Sequence, residues 1–185
     1  MHTQPVEQVE GRVQTADYRI HGTLFPRPRV GIPDLLNRND QLHLPIGELE
    51  LYRNIIGDVS DVQRLARGEF MAVPRESIHW VVGGDSGDSA IREFVWRQVA
   101  VLYGDTLLRG MLRVGSTMRT SDYIRRRIES NPFDALFDVA VNLLEGGTSF
   151  DRLSIVEAFP FVTVNLRTCT GVVELGSVSD VAEAE

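Results

Sequence analysis

Lysine is absent from this 185-residue chain, and all 19 basic residues are arginine. Two chemistries fall away with it: Schiff-base catalysis through a lysine amine, and a Walker-type phosphate loop, whose lysine reaches the β- and γ-phosphates. Cysteine is nearly absent as well. Cys169 stands alone, so no internal disulfide can form, which fits a reducing cytoplasm. It reads as a small hydrophobe near a strand end rather than as a nucleophile. His2, His21, His43 and His79 are scattered without metal-ligand spacing, and Asp85 and Asp88 lack the regularly spaced oxygens of a calcium loop. Neither a metal nor a cofactor is expected. No apolar run approaches the roughly 20 residues of a membrane-spanning helix. The opening "MHTQPVEQVE" has neither the basic nor the apolar region of a secretory leader, so a cytoplasmic location is expected.

Positive charge is also in deficit. The 26 acidic residues leave a net charge of −7, whereas a nucleic-acid binder usually carries a basic surplus to neutralise phosphates. Hydrophobic content of 43% and charged content of 24% are ordinary for a globular protein. The length suits two domains of about 80 to 90 residues.

What the chain does contain is a pattern used twice. "GIPDLLNRN" from Gly31 and "RTSDYIRRR" from Arg119 place Asp, two large hydrophobes and Arg at the same offsets. Sliding residues 9–38 onto 97–126 aligns Val13 with Val101, Asp17 with Asp105, Gly22 with Gly110, Leu24 with Leu112, Asp34 with Asp122 and Arg38 with Arg126. These six identities in 30 columns compare with about two expected from average composition. Past a two-residue insertion, "IGELEL" (Ile46 to Leu51) falls on "LFDVAV" (Leu136 to Val141). We read a tandem duplication.

Each copy reads mainly as strands. "VAVLYGDTLLRGMLR" alternates on either side of Gly104-Asp105, as "VQTADYRIHGTL" does around Ala16-Asp17, and both predict hairpins. Gly22 and Gly110 interrupt strand patterns, where glycine marks a bulge or bend. A short helix follows in each copy: Pro33-Asp34 opens "LLNRN", and Ser121 or Asp122 can cap "YIRRRIES". Strands are expected over 46–53 and 135–142, with hairpins over 69–82 and 152–167, and "SAIREFVW" suggests a helical turn. The expected fold is mainly β with short helices: two pseudo-repeated small β-barrel-like units in tandem. The first covers 1–82, a Gly/Ser/Asp linker 83–89, the second unit 90–172 and an acidic tail 173–185.

The stretch "VLYGDTLLRGML", strand, Gly-Asp turn and then apolar-x-Gly-x-Leu, resembles the first motif of Sm-like small β-barrels. "YRIHGTL" carries it more weakly. That family's RNA-contacting Asp and Met-Asn pair have no match here, since Asp34 and Asp122 come later, on predicted helices. The order Gly-x-Leu, then Pro-Asp-x-Leu-Leu-Asn or Ser-Asp-x-Ile, then "FDALFDVAV" also resembles bacterial small β domains that carry it singly. These resemblances imply a fold more than a function.

Candidate chemistry is sparse. Gly-Asp-Ser-Gly around Ser86 resembles the nucleophile segment of trypsin-like proteases, but no companion histidine segment exists, and turn propensity explains the same residues. No catalytic residue is assigned. Arg125, Arg126 and Arg127, with Arg119 upstream, form the densest positive run, and Arg27 and Arg29 in "PRPR" are its counterpart. These six are the candidate ligand- or partner-binding residues, against the plainer reading of a solvated helix face. The leading expectation is a non-enzymatic binding or assembly module with a protein partner or self-association. An Sm-like nucleic-acid binder and an enzyme with a site between the units are the alternatives.

Overall fold

A computed structural model describes residues 7–27, 30–54, 63–86, 93–144 and 153–177, and within them the chain is mainly β. The first half gives β1 (Val9–Thr15), β2 (Tyr18–Leu24), α1 (Ile32–Asn37), β3 (His43–Arg53) and β4 (Ala66–Pro74). A 3-10 turn at Arg75–Ser77 then leads into β5 (Ile78–Val82). The second half gives β6 (Phe94–Tyr103), β7 (Thr106–Gly115), α2 (Thr120–Ser130), β8 (Phe133–Leu143), β9 (Ile155–Asn165) and β10 (Gly171–Ser177). All ten strands join one open antiparallel sheet in the order β10-β6-β7-β8-β9-β5-β1-β2-β3-β4.

The predicted hairpins form where hydrophobic alternation surrounds a turn. Gly104 opens the two-residue turn between β6 and β7 at φ +57°, the left-handed region that glycine enters freely. In the first half, the Thr15 hydroxyl accepts the Tyr18 N–H at 3.0 Å and holds the β1–β2 turn. Each hairpin then passes through a helix to a long third strand. Pro33 and Asp34 lie in the first turn of α1 as expected. Helix α2 starts earlier than predicted, with Arg119 at its N-cap and no side-chain cap, so Ser121 and Asp122 lie inside the first turn.

Other local expectations give way to strands that run on or take distant partners. Residues 69–82 do not form a hairpin: β4 pairs with β3, whereas β5 pairs with β1 and β9. Residues 152–167 do not turn back either, because Ile155–Asn165 is one unbroken strand. Pro160 is tolerated inside it because it lies opposite the bulge in β8, beyond the short ladder to β5. "SAIREFVW" ends in strand, since β6 begins at Phe94, and residues 87–92 lie outside the described residues. Strand β10 runs to Ser177, so the first residues assigned to the acidic tail belong to the sheet.

The bulges predicted at the two glycines are present, and they match in detail. Gly22 lies where the β2–β3 register shifts, and Gly110 where the β7–β8 register shifts. A Cβ on Gly22 would meet Ile46 Cγ2 at 2.6 Å and the Gly47 carbonyl at 2.8 Å. One on Gly110 would meet Leu136 Cγ at 2.8 Å and the Phe137 carbonyl at 2.7 Å. The bulged residues opposite are Glu48 and Asp138, the two non-glycine residues with positive φ among those described, at +46° and +50°. Glycine is required on one strand so that its partner can bend.

Two apolar clusters flank the middle of the sheet. One gathers Val13, Ile20, Leu24, Ile32, Leu36, Ile46 and Val81 of the first half, and it also takes in Phe133 from β8. The other gathers Val99, Val101, Tyr103, Leu108, Leu112, Leu136, Val162 and Val164 of the second half, and it takes in Trp80 from β5. Each half therefore places one large side chain in the core of the other. Among the described residues, no ladder joins β4 to β5 or β9 to β10, so neither half closes on itself through that pair.

Candidate functional site

The predicted arginines separate into distinct environments. Arg127 belongs to the fold: its Nε lies 3.1 Å from Asp134 Oδ2, and its guanidinium donates to the Phe133 carbonyl. The Tyr123 hydroxyl donates to the same Asp134 oxygen at 2.6 Å, so this group ties α2 to β8. Burial raises the Asp134 carboxyl above its usual range, with Arg127 and the Tyr123 hydrogen bond opposing, and burial raises the Tyr123 hydroxyl in turn. Arg125 is exposed and pairs with Asp122 at 3.2 Å, one helical turn away, a contact worth little in water. Arg119 and Arg126 are exposed on the same helix and its cap. Arg27 lines a separate hollow of about 300 Å³ with Glu7, Val9, Pro26, Val30, Gly84 and Asp85. Arg29 lies outside the described residues.

Two arginines that the sequence reading passed over have clear structural work. Arg75 donates to the Leu36 and Arg38 carbonyls at 3.3 and 2.9 Å, and Arg167 donates to the Ile128 carbonyl at 3.2 and 2.7 Å. Each follows the fourth strand of its half and donates to carbonyls at or just past a helix C-terminus, the Arg38 carbonyl also accepting the Gln41 N–H at 3.1 Å.

The densest side-chain chemistry lies where the halves meet. The ladder there is short: Trp80 opposes Val164, and Val81 opposes Thr163. Side chains extend it. Asn165 donates from Nδ2 to the Ile78 carbonyl at 2.8 Å, and Trp80 packs against Tyr103 with ring centroids 5.5 Å apart. Asn37, at the end of α1, grips the first residue of β8 twice: it donates to the Phe133 carbonyl at 2.7 Å and accepts the Phe133 N–H at 3.0 Å. Glu157 of β9 takes Arg12 at 3.3 Å and the buried Arg19 at 2.5 Å. Nothing in the local pattern of "FVTVN" or "LLNRN" announces that these asparagines reach across the chain.

Three further surfaces have shape or chemistry. A cavity of about 590 Å³ with a mixed polar and apolar lining lies against this junction, walled among others by Glu10, Arg12, His21, Glu48, Glu50 and Phe159. Burial, reinforced by Arg19 and Arg12, lowers His21 to about 4 against the opposing pull of Glu157 and Glu50, so its imidazole is neutral at pH 7. On the second half, the Arg113 guanidinium stacks 4.3 Å from the Phe137 ring centroid and within 6 Å of Phe94 and Trp96, a partly exposed aromatic stripe. Beside β4 lies a mostly apolar hollow of about 610 Å³, walled by Tyr18, Ile20, Leu51, Met71, Val73 and Pro74 among others.

The ends of the sheet are β4 and β10, each paired on one side only among the described residues. Edge β4 is exposed along most of its length, and Phe70 is 65% exposed. Among the described residues, no three His, Cys, Asp or Glu side chains are grouped as metal ligands, and no helix is long and apolar enough to cross a membrane. Comparison with known families, with characterised proteins and with solved structures finds no match to this chain.

Proposed function

We propose that the protein is a non-enzymatic assembly module, a tandem duplication of a five-stranded unit whose free edges join it to further protein. The observation that carries this reading is the sheet order. It divides into β5-β1-β2-β3-β4 and β10-β6-β7-β8-β9, the same connectivity used twice, and it ends in two edges of different kinds. Residues 88 apart in the first two strands and 90 apart in the third carry matching bulges, which supports a common origin for the halves. An unpaired edge is a row of backbone donors and acceptors ready to accept another strand. The junction between β5 and β9 is an instance of such edge joining within one chain.

The strand, Gly-Asp turn and apolar-x-Gly-x-Leu order supports units of small β-barrel type, and an Sm-like nucleic-acid binder is the competing reading. Charge weighs against it, since the net charge is −7 and Arg127 is committed to Asp134 and Phe133. Against an enzyme between the units, Asn165, Arg12, Arg19 and Glu157 of the junction are engaged in contacts that hold the fold together. Light scattering across a dilution series of the full chain tests the proposal: a mass of several chains, falling towards one on dilution, is the expected result. A constant single-chain mass together with tight, salt-sensitive RNA binding would favour the competing reading instead.

A further inference from the structure

The two edges are not equivalent, and the junction inside the chain shows what each one fits. Strand β10 stands to β6 as β5 stands to β1: Val172 opposes Val101, and Val81 opposes Val13, at positions 88 apart in the first strand of each half. Strand β4 stands to β3 as β9 stands to β8: Met71 opposes Ile46, and Val162 opposes Leu136. Edge β10 is thus the counterpart of the inner strand β5, and edge β4 is the counterpart of β9. We infer that β10 of one copy pairs antiparallel with β4 of a second copy, Val172 opposite Ala72 and Gly171 opposite Val73, covering the apolar hollow beside β4. This rests on the assembly reading above and specifies its partner as another copy of this chain.

The side chains at the two edges agree with that pairing. Inside the chain, Arg12 and Arg19 meet Glu157 across the junction. Their counterparts are Ala100, Leu107 and Ala66, so all three charges are replaced together and the outer joint leaves no ion without its partner. Within the chain, Trp80 and Val82 pack against the core beyond β9. At the outer joint, Gly171 stands in the place of Trp80, which lets the backbones approach, and Val173 stands in the place of Val82. The hollow beside β4 carries Thr15 where the second half carries the bulky Tyr103, so this space is open beside β4 and filled beside β9. Gly171 leaves it free for the strand to cover, while Val173 packs in its own half against Ala100 and Leu107.

Edge protection elsewhere on β4 does not block the joint. Arg67 and Glu69 lie beyond the positions matching the two-residue ladder, and Pro74 lies just past its other end. Pro74 replaces Asn165, however, and cannot supply the hydrogen bond that Asn165 gives to Ile78. The joint between copies is therefore weaker than the joint within the chain and reverses on dilution. Because β4 meets β10 and not itself, the contact is head-to-tail, and copies add in one direction until a ring closes or a filament grows.

Cysteine trapping in the full chain tests this. In a Cys169→Ser background, Ala72→Cys and Val172→Cys are introduced singly and together, and a mild oxidant is added. The double variant should give a reductant-sensitive ladder of covalent multimers, and a mixture of the two single variants should stop at covalent dimers. Covalent dimers from either single variant alone would show like edges pairing and overturn the inference. Assembly seen by light scattering without trapping in the double variant would overturn the register and leave self-assembly standing. A single-chain mass under all conditions would overturn both. If Val172→Cys fails to fold, the exposed pair Phe70→Cys and Glu174→Cys probes the same register.

Discussion

Gly22 and Gly110 show how far single residues carry the account. Both were legible in the sequence, because a glycine that interrupts an alternating strand signals close backbone approach, and both lie at bulges with under 3 Å of room for a Cβ. Their partners were not legible. Glu48 and Asp138 adopt positive φ because the strand must absorb an extra residue there, and nothing in "GEL" or "FDV" marks that. Gly22→Ala and Gly110→Ala should each destabilise the fold by about 1–3 kcal/mol in chemical denaturation, since carbonyl oxygens must move. A change below a few tenths of a kcal/mol would show that the bulges yield freely. His21 supplies a pH signature at the same scale. Its folded value of about 4 lies below the 6.5 of the free imidazole, so above pH 6.5 it contributes no pH dependence. Between pH 6.5 and 4 the unfolded chain takes up a proton that the folded one refuses, and stability falls as the pH falls. Melting curves of the wild type and His21→Gln from pH 7 to 5 should diverge, with the wild type losing more; parallel curves would remove His21 from the account.

At the scale of elements, local patterns gave the first hairpin of each half and both helices, and they failed where pairing is distant. "MAVPRESIHWV" and "IVEAFPFVTVN" both look like hairpins, since each is apolar with a proline inside. One is two strands with different neighbours, and the other is a single strand. Which partner a strand takes depends on residues more than 80 positions away, as in Trp80 against Val164, and periodicity within a window holds no record of it. The candidate site suffered for the same reason: the arginines stood out by density, whereas Asn37, Trp80, Glu157 and Asn165 matter by placement. Trp80→Ala should cost about 3–5 kcal/mol, because it empties a space in the core of the other half. Loss of the whole cooperative transition, rather than of the first half alone, is the expected denaturation profile. Two separated transitions with an unaltered second one would mean that Trp80 serves its own half only.

For the whole molecule, the halves depend on each other through exchanged side chains, Phe133 in one direction and Trp80 in the other. A second half expressed from near Ser89 would lack Trp80 over Tyr103 and Val164, and a unit of that size buries only about 60% of its unfolded surface. It should aggregate or dimerise where the full chain stays soluble. A stable, cooperative monomer in sedimentation would show independent units. The six matched columns are visible in the sequence, yet the continuous sheet is not, because a two-residue ladder leaves almost no pattern to recognise.

The claim that the two edges of this sheet are joints is tested most directly at their backbone amides. Hydrogen exchange of the full chain, followed at high and at low protein concentration, should show the outward-facing amides, Ala72 in β4 and alternate residues of β10, protected in the concentrated sample and released on dilution. The inner strands β1 and β7 should keep their protection in both. Edge amides that exchange at one rate at every concentration would contradict the account.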